Sequence, residues 1–143
     1  MTLILSSAIL DDLRRYAKAA APEEACGLLF GEGGAVLRAV LANNVAVNRL
    51  HFFEIDPAAL IAAEKGMRGG GEAIIGYFHS HPEGSVEPSQ TDAAMAAPDG
   101  RMWLITNGYD VAAWQAVANG QIFGRFNPIP LDCESTNGQT ANS

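Results

Sequence analysis

Two histidines and an aspartate near the middle of the chain have the types and spacing of a metal site. His79 and His81 follow a mostly apolar run at residues 72–78, which is typical of a buried strand. Side chains two positions apart on an extended chain point to the same face, so both imidazoles can converge on one point. Pro82 ends the strand because it has no N–H for the ladder, and a short loop leads to Asp92. Two imidazoles and a carboxylate suit a catalytic zinc, which keeps its fourth position for water.

The same region also has a purely structural interpretation. Ser89 and Asp92 have the spacing of a helix capping box, with Ser89 as N-cap and Asp92 at N3. A histidine at the end of a strand is often only a polar residue that faces water. Two of the three histidines in the chain nevertheless lie in one His-x-His, and their strand leads directly to a loop that returns an acid. That coincidence favours a metal site.

The arrangement of polar residues resembles the signature of the JAMM metalloproteases, also called the MPN-plus or Mov34/MPN/PAD-1 family. Residues 79–82 read His-Ser-His-Pro. Seven residues separate His81 from Ser89, and Asp92 follows three positions after Ser89. The signature also needs an upstream glutamate, three residues before a glycine that opens an apolar run. Glu24 supplies it, because alignment to Gly27 selects Glu24 over Glu23. The resemblance covers about residues 1–130 of the chain.

The resemblance implies a fold and a role for each matching residue. The implied fold is similar to that of the cytidine deaminases, although the deaminase motifs H-x-E and P-C-x-x-C are absent from this sequence. His79, His81 and Asp92 would hold Zn²⁺, which activates water and polarises the substrate carbonyl. Glu24 would take the water proton and deliver it to the leaving amine, and Ser89 would donate to the developing oxyanion. The implied reaction is hydrolysis of a peptide or isopeptide bond.

The implied substrate is the tail of a small protein. The compact chain is similar to stand-alone bacterial members of the family, some of which act on ubiquitin-like sulfur-carrier proteins that end in Gly-Gly. This includes removal of cysteine built on the carrier's C-terminus, and Pro88-Ser89 with the short loop at residues 83–87 is similar to that subgroup. Two alternatives stay open: a metal-free MPN-type scaffold that binds partners, and a zinc amidohydrolase that acts on an unrelated small amide.

The surrounding segments predict a mixed α/β (α+β) domain with a curved, largely antiparallel sheet flanked by three helices. Predicted strands cover residues 3–5, 23–31, 35–41, 51–55, 72–78, 102–105, 111–114 and 121–126. Predicted helices cover residues 7–20, 57–68 and 89–97. One domain therefore spans residues 1–131. Residues 132–143 are polar and lack periodicity, which predicts a disordered tail.

The composition limits the partners and the compartment. The net charge is −7 without any basic run, which disfavours a nucleic-acid partner. No apolar stretch reaches the roughly 18 residues of a membrane helix, and the N-terminus lacks a signal-peptide pattern. Cys26 and Cys133 form no Cys-x-x-Cys, so a reducing cytoplasm is expected. Cys26 is interpreted as a core residue, with a thiol–His dyad as the alternative, and His51 as a surface residue.

Overall fold

The apolar runs of the chain form the strands of one sheet in the computed structural model, which describes residues 1–134. The eight strands are β1 (Leu3–Ser6), β2 (Cys26–Glu32), β3 (Ala35–Ala42), β4 (Ala73–Ser80), β5 (Met102–Thr106), β6 (Val111–Gly120), β7 (Gly124–Ile129) and β8 (Leu131–Glu134). The helices are α1 (Ser7–Ala20), α2 (Pro57–Arg68) and α3 (Gln90–Met95). The strand order is β7-β6-β5-β4-β2-β3-β1-β8, which places β4 near the centre.

Most strand pairs are antiparallel. β2 pairs in this way with β3 and β4, and β5, β6 and β7 form an antiparallel meander. The parallel pairs are β1 with β3, β1 with β8, and β4 with β5. This arrangement confirms the predicted mixed α/β fold with a largely antiparallel, curled sheet.

Alternate residues of the strands supply two cores, one on each face of the sheet. One core lies under α1, whose buried residues Leu10 and Leu13 pack with Phe78 of β4. The other core contains Trp103 and Phe53, and the partly buried residues of α2 pack against it. Because neighbouring residues of β4 point to opposite faces, the face away from α1 receives the side chains on either side of Phe78.

N-capping side chains mark the first turns of α1 and α2. Ser6 accepts a hydrogen bond from the Ile9 N–H at 3.2 Å and caps α1. Asp56 accepts from the Ala58 N–H at 3.0 Å, and Pro57 occupies the first turn of α2. Within residues 1–134, no helix has the length and hydrophobicity of a membrane span.

Three local predictions need correction. Residues 51–55 form no strand, and only an isolated bridge joins Asn44 to Ile55, because side-chain hydrogen bonds there replace a ladder. The predicted last strand at residues 121–126 begins later, since β6 continues to residue 120 and β7 starts at residue 124. The sheet also continues past the predicted domain boundary at residue 131.

The strand β8 occupies the start of the predicted tail. Its four residues pair in parallel with β1, so residues 132–134 belong to the sheet. Backbone pairing does not require an apolar side-chain pattern, which is why composition alone placed this segment outside the domain. The remainder of the predicted tail, residues 135–143, lies outside the described residues.

Candidate metal centre

The end of β4 and the start of α3 bring three metal-binding side chains together. His79 is on β4 and His81 follows its end, and their Nε2 atoms lie 3.0 Å apart. Asp92 on α3 reaches both rings, with Oδ1 3.1 Å from His79 Nε2 and Oδ2 3.1 Å from His81 Nε2. Within residues 1–134, these are the only three His, Cys, Asp or Glu side chains grouped closely enough to hold one metal ion.

The spacing and chemistry of these atoms fit zinc. Ligands at about 2.0–2.1 Å from a tetrahedral ion lie roughly 3.3 Å from one another, close to the observed separations. Two ring nitrogens and a carboxylate oxygen this close together need either a shared proton or a metal ion between them, because their lone pairs otherwise repel one another.

Neighbouring groups orient the three side chains. The His81 Nδ1–H donates to the Ser85 carbonyl at 2.9 Å, which leaves Nε2 as the ligand nitrogen. The Ser89 backbone N–H donates to Asp92 Oδ2 at 2.9 Å. The His79 ring stacks on Phe53 with centroids 4.3 Å apart, and its Nδ1 has no hydrogen-bond partner among the described residues. His79 is thus held mainly by packing and His81 by hydrogen bonds.

Burial and mutual contact set the charge of the cluster. Burial alone would raise the pKa of Asp92, but hydrogen bonds with His79 and His81 hold that pKa well below its usual range. Burial lowers the pKa of His79 and outweighs its contact with Asp92. Burial would also lower the pKa of His81, yet contacts with Asp92 and the Ser85 carbonyl raise it. A metal ion bound at these atoms would compete with protons for the same ring nitrogens, so its affinity would fall as the pH falls.

Glu24 lies before the first residue of β2 and is 8% exposed. Burial raises the pKa of its carboxyl to about 7, with Asp92 adding to the rise and His81 opposing it. Two hydrogen bonds join the next residue to β4: the Ala25 N–H donates to Ser80 Oγ at 2.7 Å, and the Ser80 N–H donates to the Ala25 carbonyl at 3.0 Å. Because Ser80 lies between the two histidines, this pair sets Glu24 beside them.

A cleft of about 500 Å³ opens beside the cluster. Its walls are formed by Pro22, Glu24, Leu50, His51, His81, Pro82, Glu83, Gly84, Ser89 and Thr91. Ser89 caps α3 by accepting the Asp92 N–H at 3.0 Å and also lines the cleft. The cap confirms the structural interpretation of Ser89 and uses only its oxygen as an acceptor, so its O–H can still donate; the oxyanion role stays a prediction.

Sequence reasoning missed part of this neighbourhood. His51 is exposed, as expected, but it lines the cleft with Glu24 and His81. Phe53 and its contact with His79 were not identified, because they depend on the path of an irregular loop. The interpretation of Cys26 as a core residue is confirmed: it is fully buried, and burial raises the pKa of its thiol to about 12, so the neutral thiol is no nucleophile.

Comparison with known proteins identifies the family. A sequence profile described as prokaryotic homologs of the JAB domain matches residues 6–117. The chain belongs to this prokaryotic JAB family. The predicted membership of the JAMM/MPN group, in its stand-alone prokaryotic form, is thereby confirmed.

Two curated relatives share sequence with this JAB protein. A desampylase from Haloferax volcanii is 34% identical over 99 residues, which cover 68% of this chain and 71% of the relative. A probable TtuB-protein conjugate cleaving protease from Thermus thermophilus is 30% identical over 122 residues, with coverage of 78% and 82%.

Solved structures share the fold of the JAB protein. A protein from Desulfitobacterium hafniense superposes with a TM-score of 0.78 at 25% identity, and 94% of each chain is covered. A structure described as JAMM, a metalloprotease-like zinc site in the proteasome and signalosome, superposes with a TM-score of 0.55 at 19% identity and covers 92% of this chain and 98% of its own. The second likeness supports the fold alone.

Proposed function

We propose that this JAB protein is a zinc-dependent isopeptidase that hydrolyses the bond after the C-terminal Gly-Gly of a small ubiquitin-like protein. One observation carries the proposal: the cluster of His79, His81 and Asp92 lies beside a buried Glu24 at an open cleft. The two curated relatives, a desampylase and a probable TtuB-protein conjugate cleaving protease, support a protein conjugate as the substrate class.

The three clustered side chains suit a bound metal ion. Zn²⁺ held by His79 Nε2, His81 Nε2 and the Asp92 carboxylate would supply a Lewis acid that makes water more acidic and polarises a carbonyl. The low pKa of Asp92 keeps it ionised, and the Ser85 carbonyl holds the His81 ring in the tautomer that presents Nε2.

Glu24 has the properties of a proton carrier. A carboxyl whose pKa lies at about 7 can both accept and release a proton near neutral pH. Glu24 therefore accepts the proton of the attacking water and delivers it to the leaving amine. The Ser89 hydroxyl, which faces the same cleft, donates a hydrogen bond to the oxyanion that develops on the substrate carbonyl.

The walls of the cleft suit an extended glycine tail. The lining of the cleft includes Leu50 and His51 from one segment of the chain and residues 82–84 from another. A chain that passes between them at close range to His81 is favoured when it carries no side chain, which only glycine provides. The body of the ubiquitin-like protein stays outside, so recognition of the tail decides which bond reaches Glu24.

The first prediction concerns turnover of a defined conjugate. The purified protein should contain one zinc ion per chain and cleave a carrier–lysine or carrier–cysteine conjugate after the terminal Gly-Gly, as followed by mass spectrometry. Glu24→Gln should retain zinc but lose roughly 10²–10⁴-fold in kcat, because a positioned acid–base group contributes that much. The neighbouring Glu23→Gln is the matched control, since the Glu23 side chain is half-exposed and paired with Arg49 at 3.1 Å.

Three outcomes would contradict the proposal. Protein that was never exposed to chelator and contains no zinc would point to the metal-free scaffold. Zinc-loaded protein that hydrolyses small amides but leaves every conjugate intact would support the amidohydrolase alternative. Undiminished cleavage of a carrier whose last glycine is changed to valine would show that the cleft does not select a glycine tail.

A further inference from the structure

Residues 44–54 form an irregular loop that the side chain of Asn44 closes. The Asn44 Nδ2 donates to the Phe52 carbonyl at 3.0 Å, and Oδ1 accepts from the backbone N–H groups of Ala46 at 3.0 Å and Glu54 at 3.1 Å. The same Nδ2 also donates to the Glu24 carbonyl at 2.9 Å. A side-chain amide has two donors and two acceptor lone pairs, so Asn44 uses its full capacity.

The loop also receives the other backbone group of Glu24. The Glu24 N–H donates to the Arg49 carbonyl at 2.8 Å, so both backbone hydrogen bonds of Glu24 end on the loop. β2 begins only at Cys26, and the sheet therefore does not hold Glu24 directly. Beside the Ala25–Ser80 hydrogen bonds, the position of Glu24 thus depends on a loop without a ladder of its own.

The same loop contacts the metal centre from a second side. Phe53 is 5% exposed and stacks on the fully buried His79 ring. If the loop moved, Glu24 and His79 would both lose contacts that hold them in place. Glu24 is the proposed proton carrier, and His79 is a proposed metal ligand. Within the loop, Asn44 is the residue whose side chain joins Glu24 to three separate loop positions.

We propose that Asn44 is a positioning residue for Glu24, an inference that rests on the proposed function. Removal of its amide donors leaves the Glu24 carbonyl unpaired and opens the loop, and the carboxylate shifts relative to the site of attack. Misplacement of a reacting group by about 1 Å costs on the order of 10²-fold in rate. Asn44 itself contacts no metal ligand, so its substitution should not release zinc.

The test uses Asn44→Asp and Asn44→Ala in the full chain. Asn44→Asp keeps the shape and the acceptor but loses both amide donors. We expect kcat for the conjugate to fall by about 10–10²-fold in each variant, with KM changed less than about 3-fold and zinc content unchanged. Asn48→Ala is the matched control: Asn48 lies in the same loop, and its side chain accepts from the Leu50 N–H at 3.2 Å rather than contacting Glu24.

A double-mutant cycle distinguishes positioning from general loss of structure. If Asn44 acts through Glu24, then Asn44→Asp should change the residual kcat of Glu24→Gln by less than about 2-fold. If Asn44→Asp lowered kcat by the same factor in wild type and in Glu24→Gln, the proposal would be overturned. Unchanged kcat in both Asn44 variants of an active enzyme would also overturn it.

Amide hydrogen exchange provides a readout that does not need turnover. In Asn44→Asp, exchange of the Glu24 amide should accelerate at least about 10-fold, while Asn48→Ala leaves it unchanged, because only the first variant frees the segment that holds Glu24. Equal protection in wild type and Asn44→Asp would overturn the proposal. Wild-type protein without turnover would count against the proposed function, and the exchange measurement would still decide the role of Asn44.

Discussion

At the scale of single residues, Glu24 combines a chemical advantage with a cost in stability. Its burial raises the pKa to about 7 from an ordinary value of 4.5, against the opposing effect of His81. A carboxyl of this kind exchanges protons readily near neutral pH. The folded state must, however, either keep it protonated or bury a negative charge, and the unfolded state has neither burden.

The second prediction follows from this cost. Because the folded pKa lies above the unfolded one, the favourable contribution of the protonated carboxyl is complete below about pH 4.5 and is lost as pH rises through about 7. Metal-free Glu24→Gln should therefore be more stable than metal-free wild type at pH 8, by roughly 1–3 kcal/mol, and similar to it near pH 4.5. Thermal unfolding at several pH values measures the difference.

The control for this comparison is again Glu23→Gln, which removes a half-exposed acid. Relative to wild type, the free energy of unfolding of Glu23→Gln should not increase as the pH rises. If Glu24→Gln stabilised the protein equally at acidic and at alkaline pH, the assignment of a raised pKa to Glu24 would be contradicted.

At the scale of elements, β2 packs closely against β3 and β4 at Gly27, three residues after Glu24. A Cβ added at Gly27 would lie 2.2 Å from the Val40 carbonyl oxygen and 2.3 Å from Phe78 Cε2. The Phe78 ring thus occupies the space where a side chain would be. A glycine inside a strand often marks such a close contact.

The third prediction is a comparison of two glycines. Gly27→Ala should destabilise the fold by about 1–3 kcal/mol or more, because backbone and an aromatic ring must move to admit a methyl group. Gly66→Ala in α2 is the matched control: apart from the helix's own nearby backbone, no described atom lies within 4 Å of its added Cβ, and alanine favours a helix by up to about 1 kcal/mol. Thermal unfolding followed by circular dichroism should give a higher unfolding temperature for Gly66→Ala than for wild type, and a lower one for Gly27→Ala. Equal unfolding temperatures for the two variants would contradict the packing argument.

At the scale of the whole molecule, the metal centre joins segments that are distant in the sequence. His79 and His81 come from β4 and its end, Asp92 from the six-residue helix α3, and Glu24 from the segment before β2. A helix of this length has little stability of its own. A ligand that binds only when these segments are assembled stabilises the folded chain.

The fourth prediction is that zinc controls the unfolding temperature. Free zinc at about 100 times its dissociation constant adds roughly 2.7 kcal/mol to the free energy of unfolding, so a chelator should lower the unfolding temperature and added zinc should restore it. His81→Ala lacks one ligand and should show no response to either. Wild-type protein whose unfolding temperature is the same with chelator and with zinc would contradict the metal centre.

The features that the sequence determined by itself are those that depend on local geometry. His79 and His81 share a face because side chains two apart on a strand always do, and Ser89 caps α3 because its partner Asp92 lies three residues away. The family pattern added Glu24 through its distance from Gly27 along the chain. The mixed sheet and the three helices follow from periodicity in the same way.

Only the tertiary structure decided what depends on contacts between distant segments. The pairing of β2 with β4 and the hydrogen bonds between Ala25 and Ser80 bring Glu24 to the histidines across more than 50 positions. The loop closed by Asn44 has no periodicity, so its contacts with Glu24 and His79 could not be inferred from spacing. The strand β8 likewise exists because β1 offers an edge for backbone pairing, whatever side chains the partner carries.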